Sequence, residues 1–186
     1  MRATEILKEE HIILERVLVA LDLAAVGSAH QKPVRPGFFI DTYGFVLDFT
    51  EGFHFKKEEE ILYRALEDVG LPVEGGQLGI LMNEHEESRR YIRAMLTAAK
   101  EWDAGDVEAR AEVIWATSGY TGLLHQHIAR ENTILFSLAK QMLSEAVQEQ
   151  ISQVFEQSRQ TEMGEDVLEK YLKIAIKLEK EASSWK

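Results

Sequence analysis

Residues 124–136 read Leu124-His-Gln-His-Ile-Ala-Arg-Glu-Asn-Thr-Ile-Leu-Phe136. Leu124, Ile128 and Leu135 recur at helical spacing, and His127 and Glu131 stand four residues apart. On a helix, residues four apart project from one face, one above the other. This stretch therefore offers an imidazole and a carboxylate to the same point beside an apolar stripe. Val113, Tyr120 and Leu138 carry the stripe further, which predicts a helix over 107–142. The same pairing recurs upstream as His54-Phe-Lys-Lys-Glu58, where Phe45, Phe49, Phe53, Leu62 and Leu66 predict a helix over 38–69.

Two more long helices follow from the remaining periodicity. Ile6, Ile13, Val17, Leu21 and Ala24 predict one over 3–26, and Leu81, Ile92 and Met95 one over 76–103. The breaks between them are rich in turn residues: Gly27 to Gly37 with Pro33 and Pro36, Gly70 to Gly76 with Pro72, and a weaker one at Asp103 to Asp106. A helical tail is expected at 145–160 and 164–183, packed outside the bundle or extending it. No strand pattern is present. The expectation is an all-α fold, an up-down antiparallel four-helix bundle with additional C-terminal helices. It forms a single domain over 1–186, with a core bundle at 1–143 and a C-terminal extension at 144–186.

Counting depth along these helices brings the histidines to one level. In an antiparallel hairpin, residues equally far from the turn lie side by side. His11 is about 15 residues before the end of the first helix and His54 about 16 into the second. Glu58 lies about 11 before the second helix ends and His85 about 9 into the third. His85 lies about 18 before the third ends and His127 about 20 into the fourth. Four histidines and two glutamates thus share one layer. Burying that layer is costly without a cation. Two ions relieve the cost: each takes two terminal histidines, and Glu58 and Glu131 bridge them with an oxo or hydroxo group between. Mixed imidazole and carboxylate ligation suits iron, manganese or zinc.

These residues resemble the hemerythrin-like, or HHE cation-binding, family. The resemblance is carried by Glu10-His11, by His54-Phe-Lys-Lys-Glu-Glu-Glu-Ile-Leu-Tyr63, by Glu84-His-Glu-Glu-Ser-Arg89 and by His127-Ile-Ala-Arg-Glu-Asn-Thr-Ile-Leu-Phe136. Phe155, Glu156, Glu162, Gly164 and Tyr171 extend it into the tail. It implies a bundle holding a di-iron centre, with His11, His54, Glu58, His85, His127 and Glu131 as ligands. It also implies an oxygen-binding, sensing, iron-handling or oxidative- and nitrosative-stress role. Two departures narrow this. Oxygen-carrying hemerythrins have a second histidine four residues after that of the third helix, where this chain has Arg89. They use an aspartate five residues after the fourth-helix histidine, where this chain has a glutamate four after it. One metal is then expected to keep an open position, which favours reactive or sensing chemistry over reversible oxygen carriage. The family's iron-centre-repair branch carries a cysteine-bearing N-terminal segment, and this chain has no cysteine.

Composition agrees with a protein of this kind. A net charge of −11, from 21 basic and 32 acidic residues, disfavours nucleic acid and anionic membrane as partners. The chain has no apolar run long enough to span a bilayer, no secretion signal and no disulfide, so a cytoplasmic location is expected. His125, two residues before His127, points away from the layer. His30 in the first loop, Glu15 and Glu51 are candidates for a further ligand, with a solvated or salt-bridged role favoured for the two acids. The leading expectation is binding or reduction of O2, peroxide or NO at the His/Glu-ligated centre. The alternatives are a redox, oxygen or iron sensor or binding module acting through a partner protein, and an iron-handling or stress protein; a homodimer is compatible with each.

Overall fold

The computed structural model describes residues 3–164 and 166–185, and among these residues every regular element is a helix. Six helical runs occur there: α1 Ala3–Ala29, α2 over 36–68, α3 Gln77–Asp103, α4 over 109–142, α5 Glu145–Ser158 and α6 Val167–Ala182. The predicted boundaries agree to within about three residues, the scale on which helix ends fray.

The termini follow from local chemistry. Pro36 opens α2, where its fixed φ suits the first helical turn and its missing N–H costs nothing. At the other end Gly70 takes φ 95°, the Gly70 N–H donates to the Glu67 carbonyl, and the Leu71 N–H donates to the Leu66 carbonyl. This is a Schellman closure, which glycine enters without a Cβ clash. Gly105 ends α3 in the same way, with φ 107° and bonds to Trp102 and Glu101. Ser144 caps α5 by accepting from the Val147 N–H.

Packing divides the interior in two. One apolar cluster is rich in phenylalanine and includes Val17, Leu21, Phe49, Phe53, Ile92 and Leu124. The other includes Leu7, Leu62, Leu66, Leu81, Leu135 and Phe136. Each long helix contributes to both. Along α1 and α3 the chain passes from the leucine-rich cluster to the phenylalanine-rich one; along α2 and α4 it passes the other way. The crossover falls between Leu7 and Ile13, Phe55 and Leu62, Leu81 and Ile92, and Ile128 and Leu135. Every interval contains a histidine or glutamate of the expected layer. The tail is part of this interior. Ile151 and Phe155 of α5 join the leucine-rich cluster, whereas Val167, Tyr171 and Ala175 of α6 join the other. Tyr171 packs its ring against Phe45 and Phe49. The Glu162 side chain lies outside the described residues.

Helices α2 and α4 are not α-helical throughout. They widen into π-helical turns at Val46–Phe55, Glu58–Leu62 and Glu131–Leu135. Such turns are uncommon and tend to occur at functional sites, because they re-aim the side chains that follow. Here His54 lies in one of them, and Glu58 and Glu131 each begin another.

Candidate metal centre

Six side chains meet at the crossover: His11 from α1, His54 and Glu58 from α2, His85 from α3, and His127 and Glu131 from α4. All are buried. Ligand-type atoms of His11, His54, Glu58 and Glu131 lie within 4.8 Å of one another, as do those of Glu58, His85 and His127. Glu58 belongs to both groups. Its Oε1 is 3.0 Å from His54 Nε2, and its Oε2 is 3.4 Å from His85 Nε2. Glu131 Oε2 lies 3.2 Å from His11 Nε2 and 3.5 Å from His127 Nε2. The other oxygen of Glu131, Oε1, accepts a 2.6 Å hydrogen bond from the Tyr63 hydroxyl.

Behind the layer, every imidazole is held through its other nitrogen. His54 Nδ1 meets Glu10 Oε2 at 2.8 Å, His85 Nδ1 meets Glu59 Oε1 at 2.7 Å, and His127 Nδ1 meets Glu84 Oε2 at 3.0 Å. Each of these carboxylates is in turn paired with a cation: Glu10 with Lys57, Glu59 with Arg89, and Glu84 with Arg130. His11 Nδ1 meets the Asn132 amide oxygen at 3.1 Å. An acceptor at Nδ1 keeps the proton there and turns the lone pair of Nε2 inward. Acceptors behind metal-binding histidines orient the ring in this way and raise its basicity.

Aimed inward, the same atoms lack partners. His11 Nε2, His54 Nε2, both oxygens of Glu58 and Glu131 Oε2 are buried without a hydrogen bond. His85 Nε2 and His127 Nε2 face each other at 3.1 Å, a repulsive approach for two lone pairs unless a proton or cation lies between them. Protonation equilibria report the same demand for positive charge. Burial alone would lower the His11 pKa, but the Glu131 and Glu58 carboxylates hold it at about 10. His85 is likewise held at about 9, burial being outweighed by Glu58 and Glu59. Burial would raise the Glu58 carboxyl, yet His54, His11 and His85 hold it well below the usual carboxylate range. Tyr63 is pushed well above its ordinary value by burial and by Glu131 and Glu58, so it stays a hydrogen-bond donor. These atoms suit a cation: nitrogen and oxygen donors converge, buried and otherwise unpartnered.

Other candidates fall elsewhere. His30 is exposed, with its ring bonded to the Val26 carbonyl at 3.0 Å, and Glu15 is exposed on α1. Glu51 pairs with Arg89 at 2.6 Å, and His125 pairs with Asp22 at 3.1 Å on the outer face. Tyr120 is buried among the phenylalanines. The spacing of the histidines does not reveal the roles of Glu10, Lys57, Glu59, Tyr63, Glu84 and Asn132 at the site. A glutamate directly before His11 and before His85 was the available signal. Each serves the histidine of a neighbouring helix, not its own.

Comparison with known proteins agrees with this geometry. The sequence model of the hemerythrin HHE cation-binding domain matches residues 2–139, and the chain belongs to that family. It is also similar to uncharacterized proteins of Mycobacterium bovis and Mycobacterium tuberculosis. They are 24% identical to it over 165 residues, covering 88% of this chain and 63% of theirs. The chain thus spans less than two thirds of the length of these curated relatives. No solved structure matches it. Among the described residues, no helix is long and apolar enough to cross a membrane.

Proposed function

We propose that this HHE-family chain is an up-down four-helix bundle holding two iron ions, and that it binds or reduces a small ligand such as O2, peroxide or NO. The observation that carries the reading is the set of inward-facing, buried and partnerless atoms on His11, His54, Glu58 and Glu131, with His85 and His127 closing the layer. The opposed passage of α1 and α3 against α2 and α4 between the two apolar clusters supports the bundle. Iron held by these residues would supply redox and Lewis-acid chemistry.

The protein residues divide that work. Glu58 has both oxygens free and spans the two halves. Glu131 has one oxygen engaged by Tyr63 and offers the other. The half formed by His85 and His127 is therefore poorer in protein donors. Arg89, four residues after His85, points away from the layer to Glu51, Glu59 and Glu86. A metal held at that half would have fewer donors from the chain, and a small ligand would bind there. The complete burial of the ligand set excludes bulk water and bulky substrates. The chain's acidic balance and lack of cysteine support a cytoplasmic setting without nucleic-acid partners.

A second reading, a sensor acting through a partner, draws on one observation. Lys57, bonded to the Glu10 that holds His54, lies 5.6 Å from the ring of Phe155 in α5. A change at the layer has a direct route to the tail.

The test is reconstitution with ferrous iron under anaerobic conditions, then exposure to oxygen, peroxide or nitric oxide. About two irons per chain, as the two donor groups require, with ligand-dependent visible bands that vanish in His54→Ala, are expected. Absence of stoichiometric iron, or metal bound independently of His54, refutes the reading. Changed protease sensitivity of 145–158 on loading, with no ligand-dependent bands, would favour the sensor.

A further inference from the structure

Complete burial of the six residues raises the question of how a small molecule reaches them. One cavity adjoins the shell behind the histidines. It lies between α2 and α3, has a volume of about 160 Å³, and is lined by Val46, Leu47 and Ile92 together with Tyr43, Glu51, Arg89 and Arg93. That is well above the ~15 Å³ that holds one water. Cavities along the outer face of α5 and at the Val73–Asn83 corner touch neither the layer nor the residues behind it.

Arg89 is the wall between this cavity and the layer. Its guanidinium lines the cavity and donates to Glu51 at 2.6 Å, to Glu59 at 2.8 Å and to Glu86 at 2.7 Å. Glu59 is the acceptor behind His85. Beside it, the Phe55 ring stacks on His85 with centroids 3.6 Å apart and lies 5.8 Å from the Arg89 guanidinium. On the α2 side the π-helical run Val46–Phe55 supplies Val46, Leu47 and Glu51 to the lining, and Phe55 ends the same run between Arg89 and His85. Glu51 adds a buried oxygen, Oε1, without a hydrogen-bond partner. The lining thus combines the apolar side chains of Val46, Leu47 and Ile92 with polar groups from Tyr43, Glu51, Arg89 and Arg93.

We infer that the α2–α3 cavity is the entry route for a small, uncharged ligand (a diatomic gas or hydrogen peroxide) to the His85–His127 half, and that Arg89 and Phe55 form its gate. The inference rests on the proposed metal-binding function. It goes further in naming one path and one half of the centre. Arg89 opens the route by exchanging one carboxylate partner for solvent while the remaining two hold it, and Phe55 yields by rotating off His85.

A route differs from a binding site in its kinetics. Narrowing a route raises one barrier that entry and exit both cross, so the two rates fall together and the equilibrium constant stays put. Leu47 lines the cavity, is half-exposed and is not one of the six residues of the layer, so Leu47→Trp narrows the cavity from its solvent side while leaving every ligand-type side chain in place. The experiment is stopped-flow binding and release of nitric oxide on the ferrous-loaded protein. Val154→Trp, on an exposed position of α5, serves as the control. Leu47→Trp should slow association and dissociation alike, on the order of tenfold, as ~1.4 kcal/mol of added barrier gives. Its iron content, helicity and nitric oxide affinity should match the parent protein, and the control should keep parent rates. Unchanged rates in Leu47→Trp overturn the route, as does a loss of affinity carried by one rate alone. Absence of bound iron or of any nitric oxide adduct in the parent protein would instead defeat the metal-binding reading.

Discussion

Raising the pH should weaken the metal-free protein, and the size of the effect can be worked from the layer. Without metal, protons on the imidazoles supply its positive charge. His11 is held at about 10 by Glu131 and Glu58 against the lowering effect of burial, whereas its ordinary value, which the unfolded chain takes, is 6.5. A folded-state pKa above the unfolded one means that the fold favours the protonated form. The stabilisation is complete below pH 6.5 and disappears as the pH climbs through 9 to 10, where His11 and His85 lose their protons. The difference between 6.5 and about 10 corresponds to about 5 kcal/mol for His11. His85 leans on the same Glu58, so the pair is worth roughly this amount and not its double. At 2–4 °C per kcal/mol for a chain of this size, the melting temperature should fall by about 10–20 °C. Glu58, held well below its usual range, works in the opposite sense, and its contribution is lost as the pH falls below 4.5. The assay is thermal unfolding of chelator-treated protein, followed by far-ultraviolet circular dichroism at pH 6.5, 8 and 10. A His11→Asn variant run alongside separates the layer from the titration of surface lysines. Equal melting temperatures at pH 6.5 and 10, or a full slope retained in His11→Asn, would refute the reasoning.

Four substitutions examine other parts of the molecule. Glu84→Gln keeps an acceptor behind His127 but removes its charge; metal affinity, measured by chelator competition, should fall about 10- to 100-fold with the fold intact. Tyr63→Phe strips Glu131 Oε1 of its donor and should cost the metal-free protein about 1–3 kcal/mol in denaturant unfolding. In the loaded protein it frees that oxygen, so the visible spectrum should shift. Gly119 and Gly122 make a paired test on α4. A Cβ at 119 would lie 2.4 Å from the Tyr91 ring, whereas one at 122 meets nothing within 4 Å. Gly119→Ala should therefore cost about 1–3 kcal/mol by overpacking, and Gly122→Ala should gain about 0.5–1 kcal/mol from helix propensity.

The helices were legible because the apolar periodicity is strong and the breaks carry Gly and Pro. The meeting of His11, His54, Glu58, His85, His127 and Glu131 was legible because level along a hairpin follows from counting residues. The wide turns were not. Nothing in Val46–Phe55 or Glu131–Leu135 departs from an ordinary amphipathic pattern, and a π-turn is selected by how side chains pack across helices. The residues behind the histidines were hidden for a related reason. Glu10, Glu59 and Glu84 sit where a helix taken alone would present them to water. Only the neighbouring helix supplies the imidazole that makes each of them an acceptor. Lys57 is the sharpest case. In the run Lys56-Lys-Glu-Glu-Glu60 it reads as part of a solvated charged face, yet it is 2% exposed with its ammonium on Glu10.

The overall charge of −11 has an ambiguous reading from composition, since solubility and cation binding explain it equally well. The layer removes part of the ambiguity. Behind the histidines, Glu10, Glu59 and Glu84 face Lys57, Arg89 and Arg130, so those three acids are neutralised where they stand. Within the layer, Glu58 and Glu131 face only imidazoles and, for Glu131, a tyrosine hydroxyl. Two buried negative charges are left without fixed cations, in a layer closed above and below by apolar clusters. A fold that spends three ion pairs on the outer acids but leaves the inner two uncompensated has left room for mobile positive charge. Protons fill that role in the metal-free state, which is why His11 and His85 are so basic. Metal ions compete for the same lone pairs and should release those protons on binding. The pH dependence of stability and the pH dependence of metal affinity are thus two views of one charge deficit. The first should fall with pH, and the second should rise, over the same interval.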